Sequence, residues 1–167
     1  MQKWPTERSQ SMVHMGECYM FLGKVEEAIK WWSLAFHTEP NRREPLMKLA
    51  EYYYGVKNAN QTAAYAMAAL QIKKSNYYAD FQPYYQNLPH ELLYWAFWQL
   101  NKFEDSGYHF TMAHSYKMFE PKYLHDLRFY IELPKISFVI PTLGRKEGLQ
   151  KCLDSIKNLN YPQEKVE

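Results

Sequence analysis

Residues 9–42 read SQSMVHMGECYMFLGKVEEAIKWWSLAFHTEPNR, and this stretch decides the fold. Counting from Ser9 as position 1, Met12, Met15, Gly16 and Tyr19 stand at positions 4, 7, 8 and 11. Ala28, Trp32, Ala35 and Pro40 stand at positions 20, 24, 27 and 32. The apolar residues recur at helical spacing on both sides of Gly23, which predicts two helices joined by a turn. Small Gly16, Ala28 and Ala35 let the two helices approach, while bulky Tyr19 and Trp32 fill the space between them. Gly23 supplies a left-handed backbone at the turn at little cost. Pro40 has no amide hydrogen to continue the second helix and marks its exit.

That arrangement of small and large residues resembles the 34-residue tetratricopeptide repeat. A second unit begins near Arg43, with Leu46, Leu49, Ala50 and Tyr53 repeating positions 4, 7, 8 and 11. The pattern then slips by a residue or two, and Ala63, Ala64 and Ala68 are expected to supply the small residues of its second helix. A third helical pair is expected over about residues 90–119, with Leu93, Ala96, Phe97 and Leu100 on one face and Glu120-Pro121 at its end. Residues 75–89, rich in Tyr and holding two Pro, read as an irregular connection between the second and third pairs.

Leu133-Pro134 closes the helical region. Residues 135–162 follow, KISFVIPTLGRKEGLQKCLDSIKNLNYP. The run Ile136 to Ile140 is β-branched and aromatic and predicts a short buried strand. Thr142 to Arg145 reads as a turn. Leu149, Leu153 and Ile156 then recur at helical spacing. The expected fold class is therefore mainly α: antiparallel helical hairpins of tetratricopeptide type over residues 1–133, then a truncated α/β strand-turn-helix segment over residues 134–167. About 34 residues cannot bury a core of their own, so the second segment is expected to be the beginning of a larger domain.

Residues 135–162 are similar to the opening of family-2 glycosyltransferases, in which a strand ends in Ile-Pro-Thr, a turn carries Arg, and a helix reads Leu-x-x-Cys-Leu-x-Ser-Ile. The segment from Leu88 to Ala96 also resembles a helical region found ahead of such domains. The resemblance implies a GT-A fold in which Pro141 and Thr142 lie against the base and ribose of a nucleotide-sugar donor, with Arg145 and Glu147 at the pocket rim. Ligands of open α/β sheets bind beyond the carboxyl ends of the strands, which is where these residues fall. It further implies Mn or Mg bound by an Asp-x-Asp-type pair, and a later carboxylate acting as base toward a glycan, lipid or protein acceptor. Neither of those groups occurs after Pro134, where the acids are Glu147, Asp154, Glu164 and Glu167. No catalytic residue, metal ligand or cofactor site is thus expected within these residues, which are expected to be inactive alone. A competing reading takes the chain as a tetratricopeptide-type protein-interaction adaptor without catalytic activity. In the transferase reading Thr142 and Arg145 contact nucleotide; the alternative is that they merely cap the following helix.

The first helices of such repeats form a groove. Its expected face carries Gln10, Val13, Glu17, Met20 and Phe21, then Glu44, Met47, Glu51, Tyr54 and Gly55. Glu17 and Glu51 would repel a peptide's terminal carboxylate, which argues against a chaperone-tail clamp. Three occupants are left open: the protein's own aromatic loop, an acceptor, or a protein partner. Trp31, Trp32, Trp95 and Trp98 are read as core in preference to a sugar platform. His90, His109, His114 and His125 are read as capping or surface groups, since the spacing for a zinc site is missing.

The formal net charge is +2 with no basic block, which gives no support to nucleic-acid binding. Two Cys, Cys18 and Cys152, make no disulfide framework and are read as buried thiols. A cytoplasmic location follows as the expectation, and no stretch approaches the apolar length of a membrane span.

Overall fold

The computed structural model describes residues 4–74, 77–78, 80–116, 137–140 and 146–158. The protein is mainly helical. Six helices lie in a first compact unit, residues 1–119. They are α1 (Pro5–Phe21), α2 (Val25–Thr38), α3 (Glu44–Gly55), α4 (Ala59–Leu70), α5 (Leu88–Gln99) and α6 (Phe103–Tyr116), with a 3-10 turn at Gln82–Tyr85 ahead of α5. A second unit spans residues 120–167 and contributes α7 (Lys146–Lys157).

The six helices form three hairpins, α1/α2, α3/α4 and α5/α6, each closed by a turn of the same build. Gly23, Lys57 and Asn101 have φ of 73°, 58° and 58°. In each turn the left-handed residue and its neighbours donate to the last carbonyls of the first helix: Lys24 to Tyr19, Asn58 to Tyr53 and Lys102 to Phe97, each at 2.9 Å. These bonds satisfy carbonyls that a helix end otherwise leaves without donors. Short turns of this kind force the two helices antiparallel.

The first two turns are 34 residues apart, Gly23 to Lys57, and the third follows 44 later at Asn101. The packing inside the hairpins keeps the same register. Tyr19 stacks on Trp31, Tyr53 on Tyr65 and Phe97 on His109, with ring planes within 12°, 9° and 25° of parallel. Ala28, Thr62 and Ser106 occupy one equivalent place in the second helices, all fully buried. Trp32, Ala66 and Phe110 occupy another, and Ala35, Ala69 and Ala113 a third. The slip expected in the second unit is therefore absent. Thr62, Ala66 and Ala69 carry the repeat in register, while Ala64 and Ala68 face solvent. An alanine-rich helix offers small residues on every side, so composition alone does not show which side is buried.

In the first hairpin the close approach depends on Gly16. A Cβ placed there would overlap Nε1 and Cδ1 of the Trp32 indole, and the indole is held in place by donating Nε1 to the Val13 carbonyl at 3.2 Å. Ser9 closes the far end of the same pair by donating to the Ala35 carbonyl at 2.9 Å. Two apolar clusters result. One joins Met12, Val13, Ala28, Trp32, Ala35 and Leu49, and the other joins α3, α4 and α5 with Tyr84 and Tyr85.

The ten extra residues before the third hairpin are accommodated by the connection that follows α4, and Arg42-Arg43-Glu44 anchors it. The Arg43 guanidinium donates to the carbonyls of Ile72 at 2.8 Å, Tyr84 at 3.1 Å and Leu70 at 3.4 Å. It therefore sits at the carbonyl end of α4, where a cation is favoured, and lies over the Tyr85 ring. Glu44 accepts from the Phe81 amide at 3.1 Å and the Tyr85 hydroxyl at 3.2 Å. Arg42, almost fully buried, donates to the Thr6 carbonyl and to Gln10, and pairs with Glu44 at 3.3 Å. Burying charge is costly unless it is paired, and here the pairing is nearly complete: Arg42 Nε lies 3.3 Å from Glu44 but makes no hydrogen bond.

In the second unit, residues 137–140 belong to no strand, and there is no strand among the described residues. A strand requires hydrogen-bonded pairing with a neighbour, which β-branched and aromatic side chains do not by themselves supply. The expected helix does form, as α7. Its apolar residues Leu149, Cys152, Leu153 and Ile156 follow helical spacing, yet none of its residues is buried. The expected boundary at 133/134 lies outside the described residues.

Candidate functional site

Helices α1 and α3 lie side by side and form the wall of a groove. One section, about 530 Å³, is lined by Met20, Phe21, Trp32, Tyr52, Gly55 and Val56, with Glu17, Lys48 and Glu51 at its polar edge. A second section, about 360 Å³, shares Glu17 and Lys48. It continues past Gln10, Val13, His14 and Glu44 to a wall made by Tyr78, Asp80, Phe81 and Tyr84.

Of the face expected from the repeat, Gln10, Val13, Glu17, Met20, Phe21, Glu44, Glu51 and Gly55 line the groove. Met47 does not, because it is fully buried beneath α3. Tyr54 instead packs edge-on to Trp95, ring centroids 4.7 Å apart. The sequence reading missed Lys48 and the loop wall. Lys48 sits one position from the expected face. The loop wall is brought in by Arg43 and Glu44, whose partners lie 27 to 41 residues downstream.

A chain of polar contacts runs along the groove floor. Gln10 meets His14 ring Nε2 at 2.8 Å, and His14 Nδ1 meets Glu17 at 2.8 Å. Lys48 bridges Glu17 at 2.7 Å and Glu51 at 3.6 Å. Tyr84 then donates its hydroxyl to Glu51 at 2.8 Å. Burial pushes the Glu17 carboxyl up, but its bonds to Lys48 and His14 outweigh that and hold it below its ordinary value. Burial, with Glu51 beside it, pushes the Tyr84 phenol far above its usual range, so it stays a donor. Glu17 and Glu51 do not stand as bare anions, because Lys48 is shared between them.

A second polar cluster lies between α5 and α6. The rings of His90 and His109 face each other, Nδ1 to Nδ1, at 2.8 Å, and both are buried. Burial lowers both, and the His90 neighbour helps bring His109 to about 4. At neutral pH the pair is uncharged and shares a hydrogen bond. Reading these two histidines as surface groups is thus corrected. A signal was present: moved along by the turn spacing, His90 takes the core place of Met12 and Leu46. His114 donates from Nδ1 to the Phe110 carbonyl, 2.7 Å away, and His125 lies outside the described residues.

Of the residues assigned to a nucleotide-sugar pocket, Pro141, Thr142 and Arg145 lie outside the described residues. Glu147 is exposed in the first turn of α7. Trp32 is core as expected, whereas Trp98 is 38% exposed and packs edge-on to Phe103. Cys18 is exposed and Cys152 half-buried, so neither is the buried thiol expected. Among the described residues no three His, Cys, Asp or Glu side chains converge as metal ligands, and no helix is long and apolar enough to cross a membrane. No family model matches the chain, and neither does any curated protein.

Proposed function

We propose that this chain is the helical portion of a nucleotide-sugar-dependent glycosyltransferase, with tetratricopeptide-like hairpins leading into the first elements of a family-2, GT-A-type domain. The observation that carries the reading is the sequence of residues 135–162, whose Ile-Pro-Thr, following Arg and Leu-x-x-Cys-Leu-x-Ser-Ile pattern resembles that family at nearly every position. The apolar stripe of α7, none of it fully buried, supports it. A helix with Leu149, Cys152, Leu153 and Ile156 on one side gains stability only when a sheet or another helix covers that side. In this reading Pro141, Thr142, Arg145 and Glu147 belong to the donor pocket. Mn or Mg, the acidic pair that holds it and the catalytic base belong to residues outside these 167.

The test is donor binding and hydrolysis, with and without Mn or Mg, by a longer protein containing this sequence and by these 167 residues alone. Metal-dependent binding by the longer protein only is the expected result. A longer protein that lacks an Asp-x-Asp-type motif and binds no nucleotide sugar would overturn the reading.

The adaptor reading has one observation in its favour. The section of the groove beside Phe21 and Val56 is open and apolar, and Phe21 is 91% exposed. Exposed apolar surface in a concave face marks interaction sites. A protein that bound a partner there and carried no transferase domain would establish the adaptor.

A further inference from the structure

The section of the groove between α1 and the loop has a composition unlike the open apolar section. On one side Tyr78 and Phe81 present rings to the pocket, 86% and 51% exposed. On the other side Gln10, His14 and Glu17 form a hydrogen-bonded row along α1. The row continues through Lys48 to Glu51 and the Tyr84 hydroxyl.

Two properties of this arrangement select a ligand. Lys48 lies between Glu17 and Glu51 and Arg42 pairs with Glu44, so most of the charge is paired, and the excess carboxylate, with Asp80 at the wall, turns away anionic ligands. Donors and acceptors are interleaved, which suits a ligand whose groups both donate and accept, as hydroxyls do. The rings opposite offer flat faces that are negative at their centres and attract weakly positive C–H groups. A pyranose has hydroxyls at its rim and C–H groups on its faces. A volume of about 360 Å³ is within the range of small-ligand sites.

We propose that this pocket binds a neutral oligosaccharide, with Tyr78 and Phe81 against the sugar faces and Gln10, His14 and Glu17 on its hydroxyls. Phe81 is held by the hydrogen bond that its backbone N–H donates to the Glu44 carboxylate and by edge-on packing against Tyr84, centroids 4.8 Å apart. The role of acceptor holding rests on the transferase reading, but sugar binding does not, so the two can fail separately.

The experiment is titration of the 167-residue chain with maltotriose, cellotriose, mannotriose and triacetylchitotriose, followed by saturation-transfer NMR and calorimetry, with pentalysine peptide as a competing probe. Saturable binding of at least one trisaccharide is expected, weakened about tenfold or more by Phe81→Ala and by Glu17→Gln. Tyr78→Ala gives the same loss from a position too exposed to affect folding, and Lys30→Ala on α2 leaves binding unchanged. Failure of all four sugars, binding undiminished in both Tyr78→Ala and Phe81→Ala, or preferential capture of pentalysine would each overturn the proposal.

Discussion

His109 lies parallel to Phe97, ring centroids 5.5 Å apart, in the place where Trp31 lies against Tyr19 in the first hairpin. An imidazole has replaced an indole at a repeated stacking position, and its Nδ1 faces His90 at 2.8 Å. A core built of stacked aromatics has thereby acquired two titratable groups.

The third hairpin should accordingly weaken in acid. The unfolded chain takes up protons near the ordinary histidine value of 6.5, whereas folded His109 resists until about 4. Between those values the unfolded state binds more protons, so stability falls as pH drops through that window and levels off below it. His90 shifts in the same direction, lowered by burial first and by Arg43 second. Asp105 acts the other way on His109 and limits the effect. Thermal unfolding measured from pH 7 to pH 4 should show this loss, and the double substitution His90→Leu with His109→Leu should flatten it. An unchanged slope in the double variant would contradict the assignment.

Gly16→Ala should destabilise the first hairpin by about 1–3 kcal/mol, the usual cost of overpacking. The added methyl meets the Trp32 indole, which cannot swing away without losing its bond to the Val13 carbonyl. Urea denaturation followed by tryptophan fluorescence would measure it. The equivalent Ala50 already carries a Cβ, because Ala66 stands opposite where Trp32 stands in the first hairpin.

The three turns predict opposite signs for one kind of exchange. Lys57→Gly should stabilise the protein by about 1 kcal/mol, since lysine strains at positive φ and glycine does not. Asn101→Gly should gain less, because asparagine tolerates that region. Gly23→Ala should lose about 1–2 kcal/mol from backbone strain alone, as nothing lies within 4 Å of the new Cβ. Melting temperatures of the three variants, compared in one buffer, test the ordering.

Arg43→Met should release the connection between α4 and α5. It leaves the carbonyls of Ile72, Tyr84 and Leu70 without the donor they share, at a cost of at least about 2 kcal/mol. Arg43→Lys should not restore it, because a single ammonium cannot span three carbonyls as a planar guanidinium does. Limited proteolysis should cut between residues 71 and 87 faster in both variants than in the parent. Equal rates would show that other contacts hold the loop.

The helical hairpins were legible because Gly16, Gly23, Ala28, Trp32 and Ala35 state a local geometry: small where helices touch, glycine where the backbone turns left-handed, large where a gap must be filled. Most of the groove face followed from that same periodicity. The register of α4 did not, since Ala63, Ala64, Ala66, Ala68 and Ala69 are chemically alike and only contact with α3 and α5 selects which are buried. Nor did the strand expected at Ile136 to Ile140, because β-branched side chains favour a strand without supplying the neighbour that makes one. The sequence by itself determined the hairpins, the 34-residue spacing of the first two and the amphipathic character of α7, all of which depend on residues within a few helical turns of one another. Only the tertiary structure decided that Arg43 and Glu44 seize a loop some forty residues away, that Tyr84 reaches Glu51, and that His90 meets His109. Those pairings join distant parts of the chain, and no local periodicity encodes them.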